Sequence, residues 1–494
     1  MNPAASLLEL NTFAWLTQKR RETQMSLSLS DVPAKEWAKI RKQGFDFIWL
    51  MGVWKRSPKA QLLAQTHPNL IQAYDTLLPK WTPEDICGSP YAVYGYESDP
   101  FLGQGDVLAG TREAMKTAGL KLILDFVPNH LAFDHPWTLE DPALFVRGNE
   151  ANRKEHPEWF FKTEKGVWLA HGRDPYFAPW IDTVQVNFFS ARMRKRMTEE
   201  LLKIAAVSDG VRCDMAMLGL NGIFSKVWNG VFTGTVPTLE FWEAVICGVK
   251  DRYPDFLFIA EAYWYTERPL IKAGFDFIYD KVFYDRLRAH DAQDLRMHLK
   301  AQDGLVDRMV RFIENHDEAR AAKAFPGSWS RSAALAAALQ PGIRFFHQGQ
   351  AEGRTHHFPV QLSRWPEAKP DVALEAFYKM LWKELQTSVL TKGYWHLPEA
   401  KPAWEGEESF KGFFVSSWNL GREWRLGVMN LGETRGRARI PWPFAAESEE
   451  VCLKDLLTGT VYKRSAEALR EEGLYVELDA GDAHFFKSFY ADRF

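Results

Sequence analysis

Four carboxylates lie at or just beyond the ends of short apolar runs of the sequence. They are Asp125, Asp214, Glu261 and Asp317. If these runs are parallel strands of a closed barrel, their carboxyl ends open into one shared pocket. Four acids in one pocket repel one another, so the arrangement is best explained when the groups differ in protonation state and chemical role. The pattern predicts a site for nucleophilic and acid–base chemistry.

The surroundings of Asp214 and Glu261 suit different roles. Arg212 precedes Asp214 by two positions, so both side chains lie on one face of a strand, where the guanidinium keeps the carboxylate ionised as a nucleophile requires. Apolar and aromatic residues flank Glu261. Desolvation raises the pKa of such a carboxyl group toward the value that a general acid needs. A structural ion pair for Asp214 and a buried, hydrogen-bonded Glu261 are the alternatives.

Two histidines accompany the other acids. His130 follows Asp125 by five positions, and His316 directly precedes Asp317. Neither histidine has a helical His-x-x-x-His partner or a cysteine partner, so we predict no catalytic metal. The cysteines lie singly in apolar stretches, which predicts reduced thiols. They are Cys87, Cys213, Cys247 and Cys452.

The elements that must position these side chains are strands and helices in alternation, the pattern of a parallel sheet with crossover helices. Eight strands are predicted, the number that closes a (β/α)8 barrel. The predicted strands are Leu8–Trp15, Phe45–Leu50, Lys121–Val127, Gly210–Asp214, Phe256–Glu261, Phe275–Tyr279, Met309–Asn315 and Ile343–His347. The predicted helices are Pro33–Gln43, Asp106–Thr117, Ala191–Val207, Leu239–Arg252, Thr266–Ala273, Tyr284–Lys300, Ser330–Leu339 and Val372–Leu390.

Two connections are much longer than a barrel needs, one from Met51 to Gly105 and one from Leu131 to Ser190. Long excursions at the carboxyl ends of strands are usually functional. After Lys392 the helical periodicity gives way to short strand-like runs. We therefore predict an α/β fold with a TIM barrel over residues 1–130 and 191–391, an inserted domain over 131–190 and a C-terminal antiparallel β-sandwich domain over 392–494.

Composition and charge narrow the class of protein. The 494 residues include 46% hydrophobic and 25% charged side chains, as in ordinary globular proteins. The 61 basic and 64 acidic side chains give a net charge of -3, which favours neither nucleic acid nor a membrane as partner. The N-terminal residues from Met1 lack the basic-then-apolar pattern of a secretory signal, and no apolar run is long enough to span a bilayer. We expect a cytoplasmic protein.

Four segments, in this order along the chain, resemble the signature regions of the α-amylase superfamily, glycoside hydrolase family 13. They are Asp125–His130, Gly210–Asp214, Ile259–Glu261 and Phe312–Asp317. The resemblance implies a retaining reaction at an α-glucosidic bond. Asp214 would be the nucleophile, Glu261 the general acid and then base, and Asp317 the third acid, which binds sugar hydroxyls and favours the distorted transition state.

The same resemblance assigns substrate-binding roles. Arg212 would orient the nucleophile, His130 and His316 would bind hydroxyls of the sugar in subsite -1, and Asp125 would support that pocket. Residues 88–96 are similar to the aromatic segment of the family, which implies that Tyr96 stacks on the same sugar; a turn-stabilising tyrosine is the alternative. Residues 131–190 take the place of domain B, and its aromatic segment 176–180 is expected to line the cleft.

Two departures from the family pattern bear on ligands. Met217 and Leu218 stand where many amylases of the family have Lys-His at an acceptor subsite, which weakens the case for an extended starch chain. Asn129 matches the calcium-binding asparagine of the family, but residues 182–187 do not reproduce the other ligands. Because calcium takes about six to eight oxygen ligands, we predict no metal site and leave structural calcium open.

The sequence therefore predicts a retaining α-glycosidase that acts on short α-glucans or α-glucosides through a covalent glucosyl-enzyme. A transglycosylase or isomerase, such as a trehalose- or glucan-forming glucosyltransferase, is the alternative, because it shares that intermediate and differs in the acceptor. A non-catalytic sugar-binding protein on the same fold is disfavoured, since all three acids are present.

Overall fold

The computed structural model describes residues 4–232, 234–442, 444 and 449–489. The strands are β1 (Ser6–Asn11), β2 (Phe47–Met51), β3 (Trp54–Arg56), β4 (Val93–Ser98), β5 (Lys121–Phe126), β6 (His130–Ala132), β7 (Phe160–Lys162), β8 (Trp168–Ala170), β9 (Thr183–Gln185), β10 (Gly210–Cys213), β11 (Leu257–Ala260), β12 (Phe277–Tyr279), β13 (Met309–Arg311), β14 (Ile343–His347), β15 (Tyr394–His396), β16 (Phe413–Leu420), β17 (Glu423–Asn430), β18 (Gly436–Ile440), β19 (Glu450–Asp455), β20 (Val461–Ser465), β21 (Leu474–Leu478) and β22 (Ala483–Phe489).

The α-helices surround the barrel or lie in its connections, apart from the last one, which belongs to the C-terminal part. They are α1 (Thr12–Thr23), α2 (Ala34–Gln43), α3 (Pro58–Thr66), α4 (Pro68–Leu77), α5 (Val107–Thr117), α6 (Trp137–Glu140), α7 (Glu150–Glu155), α8 (Ala191–Val207), α9 (Asn221–Val227), α10 (Phe241–Lys250), α11 (Glu267–Lys272), α12 (Lys281–Arg288), α13 (Ala292–Ala301), α14 (Ala321–Ala324), α15 (Trp329–Ala338), α16 (Val372–Leu385), α17 (Ser388–Lys392) and α18 (Ala466–Glu472).

Eight parallel strands form a closed barrel in the order β1-β2-β5-β10-β11-β12-β13-β14. Strands such as β2, with sequence FIWLM, are buried at every position because one face fills the barrel interior and the other packs against helices. The predicted TIM barrel is confirmed. Its strands end with Cys213 of β10 and Ala260 of β11, which places Asp214 and Glu261 at the carboxyl rim.

Several predicted boundaries are wrong. The first strand ends at Asn11, whose side chain accepts a hydrogen bond from the Ala14 amide and caps α1, so residues 12–15 are helical. The predicted helix from Tyr284 to Lys300 is two helices, α12 and α13. They separate at His290, which has φ of 57°, and Asp291 caps the second. In both cases a side chain caps a helix by a local hydrogen bond, and this ends an element that the hydrophobic pattern predicted to continue.

The two long connections have structure of their own. The first contains the antiparallel pair β3–β4 and the helices α3 and α4, which the sequence analysis did not identify. The second contains the antiparallel pairs β6–β9 and β7–β8. The predicted domain limits stay predictions, and residues 1–3, 233, 443, 445–448 and 490–494 of the predicted first and last domains lie outside the described residues.

The C-terminal part is antiparallel, as predicted, with a six-stranded sheet of order β15-β16-β17-β22-β19-β20 and the separate pair β18–β21. Strands β20 and β22 and helix α18 were not predicted. The sheet is fixed to the barrel by Trp418 and Ser416, whose side chains donate to the Leu339 carbonyl, and by an ion pair between Arg425 and Glu384. In the described ranges, no helix combines the length and the apolar character needed to cross a lipid bilayer.

Candidate active site

A cleft of about 780 Å³ opens at the carboxyl rim of the barrel. Asp214, Glu261 and Asp317 all line it, together with His130. The first two follow β10 and β11 directly, whereas Asp317 lies in the loop six residues beyond β13. The structure thus brings together the three acids to which the sequence analysis assigned chemistry.

Arg212 connects the two acids that follow neighbouring strands. Its side chain is buried inside the barrel, with Nη1 at 2.6 Å from Asp214 Oδ1 and Nη2 at 2.9 Å from Glu261 Oε2. The guanidinium also lies over the Trp49 ring, 5.1 Å from its centroid. A fork of fixed donors suits two carboxylates at once, so one residue sets the relative position of both acids.

The electrostatic environment differs between these two acids. Burial raises the pKa of Glu261 to about 7, even though the charge of Arg212 acts in the opposite direction. Burial also raises the pKa of Asp214, while Arg212 opposes this through its charge and through the short hydrogen bond. Near neutral pH this arrangement lets Glu261 carry a proton, and the Arg212 contact favours the ionised form of Asp214.

Both oxygens of Glu261 are held by the residues around them. The backbone N–H of Met215 donates to Oε2 at 2.5 Å, and the Tyr263 hydroxyl donates to Oε1 at 2.7 Å. Met215 has a left-handed backbone with φ of 43°, as do Trp264 and Tyr265 with φ of 61° and 59°. Non-glycine residues in this region cost about 1–3 kcal/mol each and cluster at functional sites. Here the strained residues directly follow Asp214 and Tyr263.

A chain of polar contacts runs behind Asp317. His316 Nε2 lies 3.1 Å from Asp317 Oδ2 and 2.7 Å from the Tyr91 hydroxyl, and the Tyr91 and His316 rings stack with centroids 5.4 Å apart. The Asp317 side chain is 51% exposed toward the cleft, whereas His316 is buried. Partial desolvation by the cleft wall raises the pKa of Asp317, but the charge of His316 outweighs it and holds the pKa below its ordinary value.

The other predicted binding residues divide into two groups. His130 lines the cleft, with Nε2 at 4.0 Å from Asp214 Oδ2 and its ring against Trp180. Asp125 lies below the cleft surface and accepts from Trp49 Nε1 at 3.1 Å and from the Gly52 amide at 2.7 Å. Asp125 therefore supports neighbouring elements and is not among the residues that line the cleft.

The stacking role assigned to Tyr96 is corrected by the structure. The Tyr96 hydroxyl donates to the Val127 carbonyl at 2.9 Å and accepts from the Val127 amide at 3.1 Å, and its ring packs against Trp54, away from the cleft. Tyr91, five residues earlier in the same aromatic segment, lines the cleft. The sequence identified the segment. Which of its tyrosines faces the cleft depends on how the chain turns between Tyr91 and Tyr96.

Exposed and half-buried aromatic rings form one rim of the cleft. Phe177 and Trp180 line the cleft, as expected for segment 176–180. Trp264 and Tyr265, from the loop after β11, line it beside them. The Tyr176 ring contacts that of Trp264 edge-on, at a centroid distance of 5.2 Å. The rim thus joins the inserted segment to the loop that follows Glu261.

The residues around Asn129 do not fit a calcium ion. The Gln185 side-chain nitrogen donates to the Asn129 carbonyl at 2.8 Å, to Asn129 Oδ1 at 3.0 Å and to the Val186 carbonyl at 3.2 Å. A hydrogen-bond donor therefore sits where three oxygens converge, and those oxygens are the kind of ligand that calcium requires. Across the described residues, no group of three or more His, Cys, Asp and Glu side chains is placed to hold a metal.

Comparison with known proteins gives relatives of two kinds. No family model matches the sequence. The chain is 29% identical to the α-amylase MalA of Haloarcula japonica over 285 residues. This aligned region covers 54% of this chain and 38% of MalA. It is 28% identical over 241 residues to an α-1,4-glucan:maltose-1-phosphate maltosyltransferase of Rhodospirillum rubrum, covering 47% of this chain and 28% of that protein. The matches thus span less than two thirds of these relatives.

Among solved structures, the maltogenic α-amylase AmyB from Thermotoga neapolitana superposes with a TM-score of 0.67. The superposition covers 99% of this chain and 100% of AmyB, at 18% sequence identity. A likeness at this identity concerns the fold. Together with the sequence relatives, it confirms the resemblance that the four signature segments predicted.

Proposed function

We propose that this chain, which resembles the α-amylase superfamily in sequence and in fold, is a retaining α-glycosidase that acts on short α-glucans or α-glucosides. The observation that carries the proposal is the contact of Arg212 with both Asp214 and Glu261. Retaining enzymes need two carboxyl groups about 5 Å apart, one ionised and one protonated. A shared guanidinium and the raised pKa of Glu261 support such a pair.

In the first step of this reaction, Glu261 donates its proton to the glycosidic oxygen while a carboxylate oxygen of Asp214 attacks the anomeric carbon. The bond between that carbon and the glycosidic oxygen breaks, and its electron pair stays on the departing sugar. In the second step Glu261, now ionised, takes a proton from water or from a sugar hydroxyl, whose oxygen displaces Asp214. Asp317 and His130 bind the hydroxyls of the sugar that is transferred.

The charge of the cleft favours an uncharged substrate. Eight acidic side chains line the cleft, whereas Lys281 is the single lysine or arginine among the described residues that do so. Lys281 is itself paired with Asp285 and Glu318. The acids are Asp174, Asp182, Asp214, Glu261, Glu267, Asp285, Asp317 and Glu318. A sugar phosphate would meet repulsion here, so we expect neutral glucosides as donors, unlike the maltose 1-phosphate in the names of several relatives.

Glucosyl transfer is the second candidate function. It uses the same covalent intermediate and needs a sugar, rather than water, as acceptor. The exposed rings of Tyr265 and Phe177 and the half-buried ring of Trp264 at the rim favour this candidate, because flat apolar surfaces beside polar groups suit a sugar ring. The presence of all three acids in one cleft argues against a protein that only binds sugar.

Turnover of α-glucosyl fluoride tests the proposal, with wild type and Asp214→Asn compared in the presence and absence of maltose. Fluoride is a good leaving group, so the assay reports the nucleophile even when the natural leaving sugar is unknown. Wild type should release fluoride, and folded Asp214→Asn should not. The product, glucose or a longer sugar, distinguishes hydrolysis from transfer.

The control is Asp455→Asn, which changes a buried aspartate of the C-terminal sheet far along the chain from the cleft. This variant should keep fluoride release per folded molecule. Substantial activity in folded Asp214→Asn would refute the nucleophile assignment. Faster turnover of maltose 1-phosphate than of maltotriose would refute the argument from cleft charge.

A further inference from the structure

A carboxylate outside the signature segments lies directly behind the substrate-binding end of the cleft. Glu9 belongs to β1 and is fully buried in a strand that is otherwise apolar at its centre. Glu9 Oε1 is 2.5 Å from His316 Nδ1, and Oε2 is 2.6 Å from His347 Nδ1. Glu9 and His347 are register partners in the neighbouring strands β1 and β14, so the barrel itself fixes this pair.

His316 has acceptors on both sides of its ring. Glu9 Oε1 faces Nδ1, while Asp317 Oδ2 and the Tyr91 hydroxyl face Nε2. A neutral imidazole has one N–H, and only the imidazolium donates from both nitrogens. With a carboxylate on each side of one buried ring, the imidazolium is the form that pairs with both.

We propose that Glu9 is a positioning residue for the reaction: its carboxylate holds His316 doubly protonated and directed at Asp317. The inference rests on the proposed function, since Asp317 is taken to bind the sugar and favour its distorted transition state. Glu9 is not among the residues that line the cleft. It acts by fixing the ring that in turn fixes the carboxylate of Asp317 at the cleft.

The electrostatic surroundings agree with this arrangement. Burial lowers the pKa of His316, but the charges of Asp317 and Glu9 outweigh burial and raise the pKa well above its ordinary value. Burial also lowers the pKa of His347, to about 4, so His347 is neutral near pH 7 and adds no charge beside Glu9. Glu9 is thus the buried anion that compensates the imidazolium from the side away from the cleft.

Other charged groups act on the same cluster and are unchanged by substitution of Glu9. Those that act on His316 or on its partners Asp317 and His347 include Asp125, Asp214, Glu261, Arg212, Arg320 and His357. Glu314 acts on Glu9 itself. None of them contacts Nδ1 of His316 in place of Glu9. Removing the negative charge of Glu9 therefore leaves His316 with one carboxylate partner, and its proton becomes easier to lose.

The test is the pH dependence of α-glucosyl fluoride turnover in Glu9→Gln and Glu9→Asp. In Glu9→Gln, His316 loses its proton more readily and then no longer lowers the pKa values of Asp214 and Asp317, so the acid limb of kcat/KM should move up by roughly one pH unit. At a fixed pH on that limb, the shift lowers kcat/KM about tenfold. The loss should appear mainly in kcat, because Asp317 acts in the transition state. Glu9→Asp keeps the charge and should retain most of the wild-type profile.

The control is Glu384→Gln, which neutralises a buried glutamate paired with Arg425 at the contact between barrel and C-terminal sheet. It should lower stability and leave the pH profile in place, which separates positioning from general destabilisation. A folded Glu9→Gln protein with the wild-type profile would overturn the proposal.

A second measurement does not depend on activity or on any Glu9 variant. In wild-type protein with ¹⁵N-labelled histidine, the His316 signals, assigned by their loss in His316→Gln, should be those of an imidazolium at pH 8. Signals of a neutral ring would overturn the proposal. If neither wild type nor Asp214→Asn turned over glucosyl fluoride, the proposed function would fail, while this spectrum would still decide the state of His316.

Discussion

The Tyr263 hydroxyl donates to Glu261 Oε1 at 2.7 Å, although only one residue separates the two in the loop after β11. The same glutamate accepts from the Met215 amide and contacts Arg212 through its other oxygen. Burial alone would push the pKa of Glu261 far upward, and each of these donors favours the ionised form. Tyr263 is thus a further donor to Glu261, and its hydrogen bond favours the ionised carboxylate.

Replacing Tyr263 with Phe should change the pH dependence of turnover. A hydrogen bond donated to a carboxylate stabilises its charge by about 1.5 kcal/mol or more, and 1.36 kcal/mol corresponds to one pKa unit. Without that donor the pKa of Glu261 rises, so the basic limb of kcat/KM moves upward by roughly one pH unit. A pH profile of Tyr263→Phe measures this. Tyr394→Phe, at an exposed site on β15, is the control, and a downward shift in Tyr263→Phe would contradict the assignment.

Glu261→Gln should separate substrates by their leaving groups. A general acid contributes about 10²- to 10⁴-fold when the leaving oxygen needs a proton, and little when the leaving group departs as an anion. Formation of the glucosyl-enzyme from α-glucosyl fluoride should thus survive far better than cleavage of maltotriose. Pre-steady-state fluoride release and maltotriose hydrolysis give the two rates. Equal losses on both substrates would argue against Glu261 as the acid.

The sequence was most informative where chemistry follows directly from strand periodicity. Arg212 and Asp214 lie on one face of β10 because side chains alternate, and Glu261 ends an apolar run, so their convergence at the rim was predictable. The Glu9–His347 pair was not, because it depends on the register between the first and last barrel strands. Tyr91 and Tyr96 were indistinguishable by residue type, and only the path of the loop separates them.

Trp264→Ala should reduce transfer more than hydrolysis. Trp264 belongs to the aromatic rim, and losing an aromatic contact of about 1 kcal/mol weakens binding roughly fivefold. The maltose concentration that gives half-maximal transfer from α-glucosyl fluoride should rise by about that factor, while glucose release without maltose stays close to wild type. Product analysis over a range of maltose concentrations measures both quantities. The control is Tyr394→Ala, which removes an exposed ring on β15 and should change neither the maltose dependence nor glucose release. An unchanged maltose dependence in Trp264→Ala would exclude the rim from acceptor binding.

Gln185→Glu should create a dependence on calcium that we do not expect in the wild-type protein. In wild type the Gln185 amide nitrogen satisfies three oxygens between the barrel and the inserted segment, so neither a chelator nor added calcium should shift the Tm. A glutamate at the same position places a carboxylate against those oxygens, and an unpaired buried charge of this kind costs about 3–5 kcal/mol.

The loss should appear as a lower Tm, and millimolar calcium should restore part of it in Gln185→Glu, because the new carboxylate and the three oxygens now form a ligand set for a hard cation. Gln340→Glu is the matched control, since Gln340 is equally buried but donates to one helix carbonyl only. That variant should lose stability without recovery in calcium. A wild-type Tm that falls in chelator would show that a cation, and not Gln185 alone, connects the two segments.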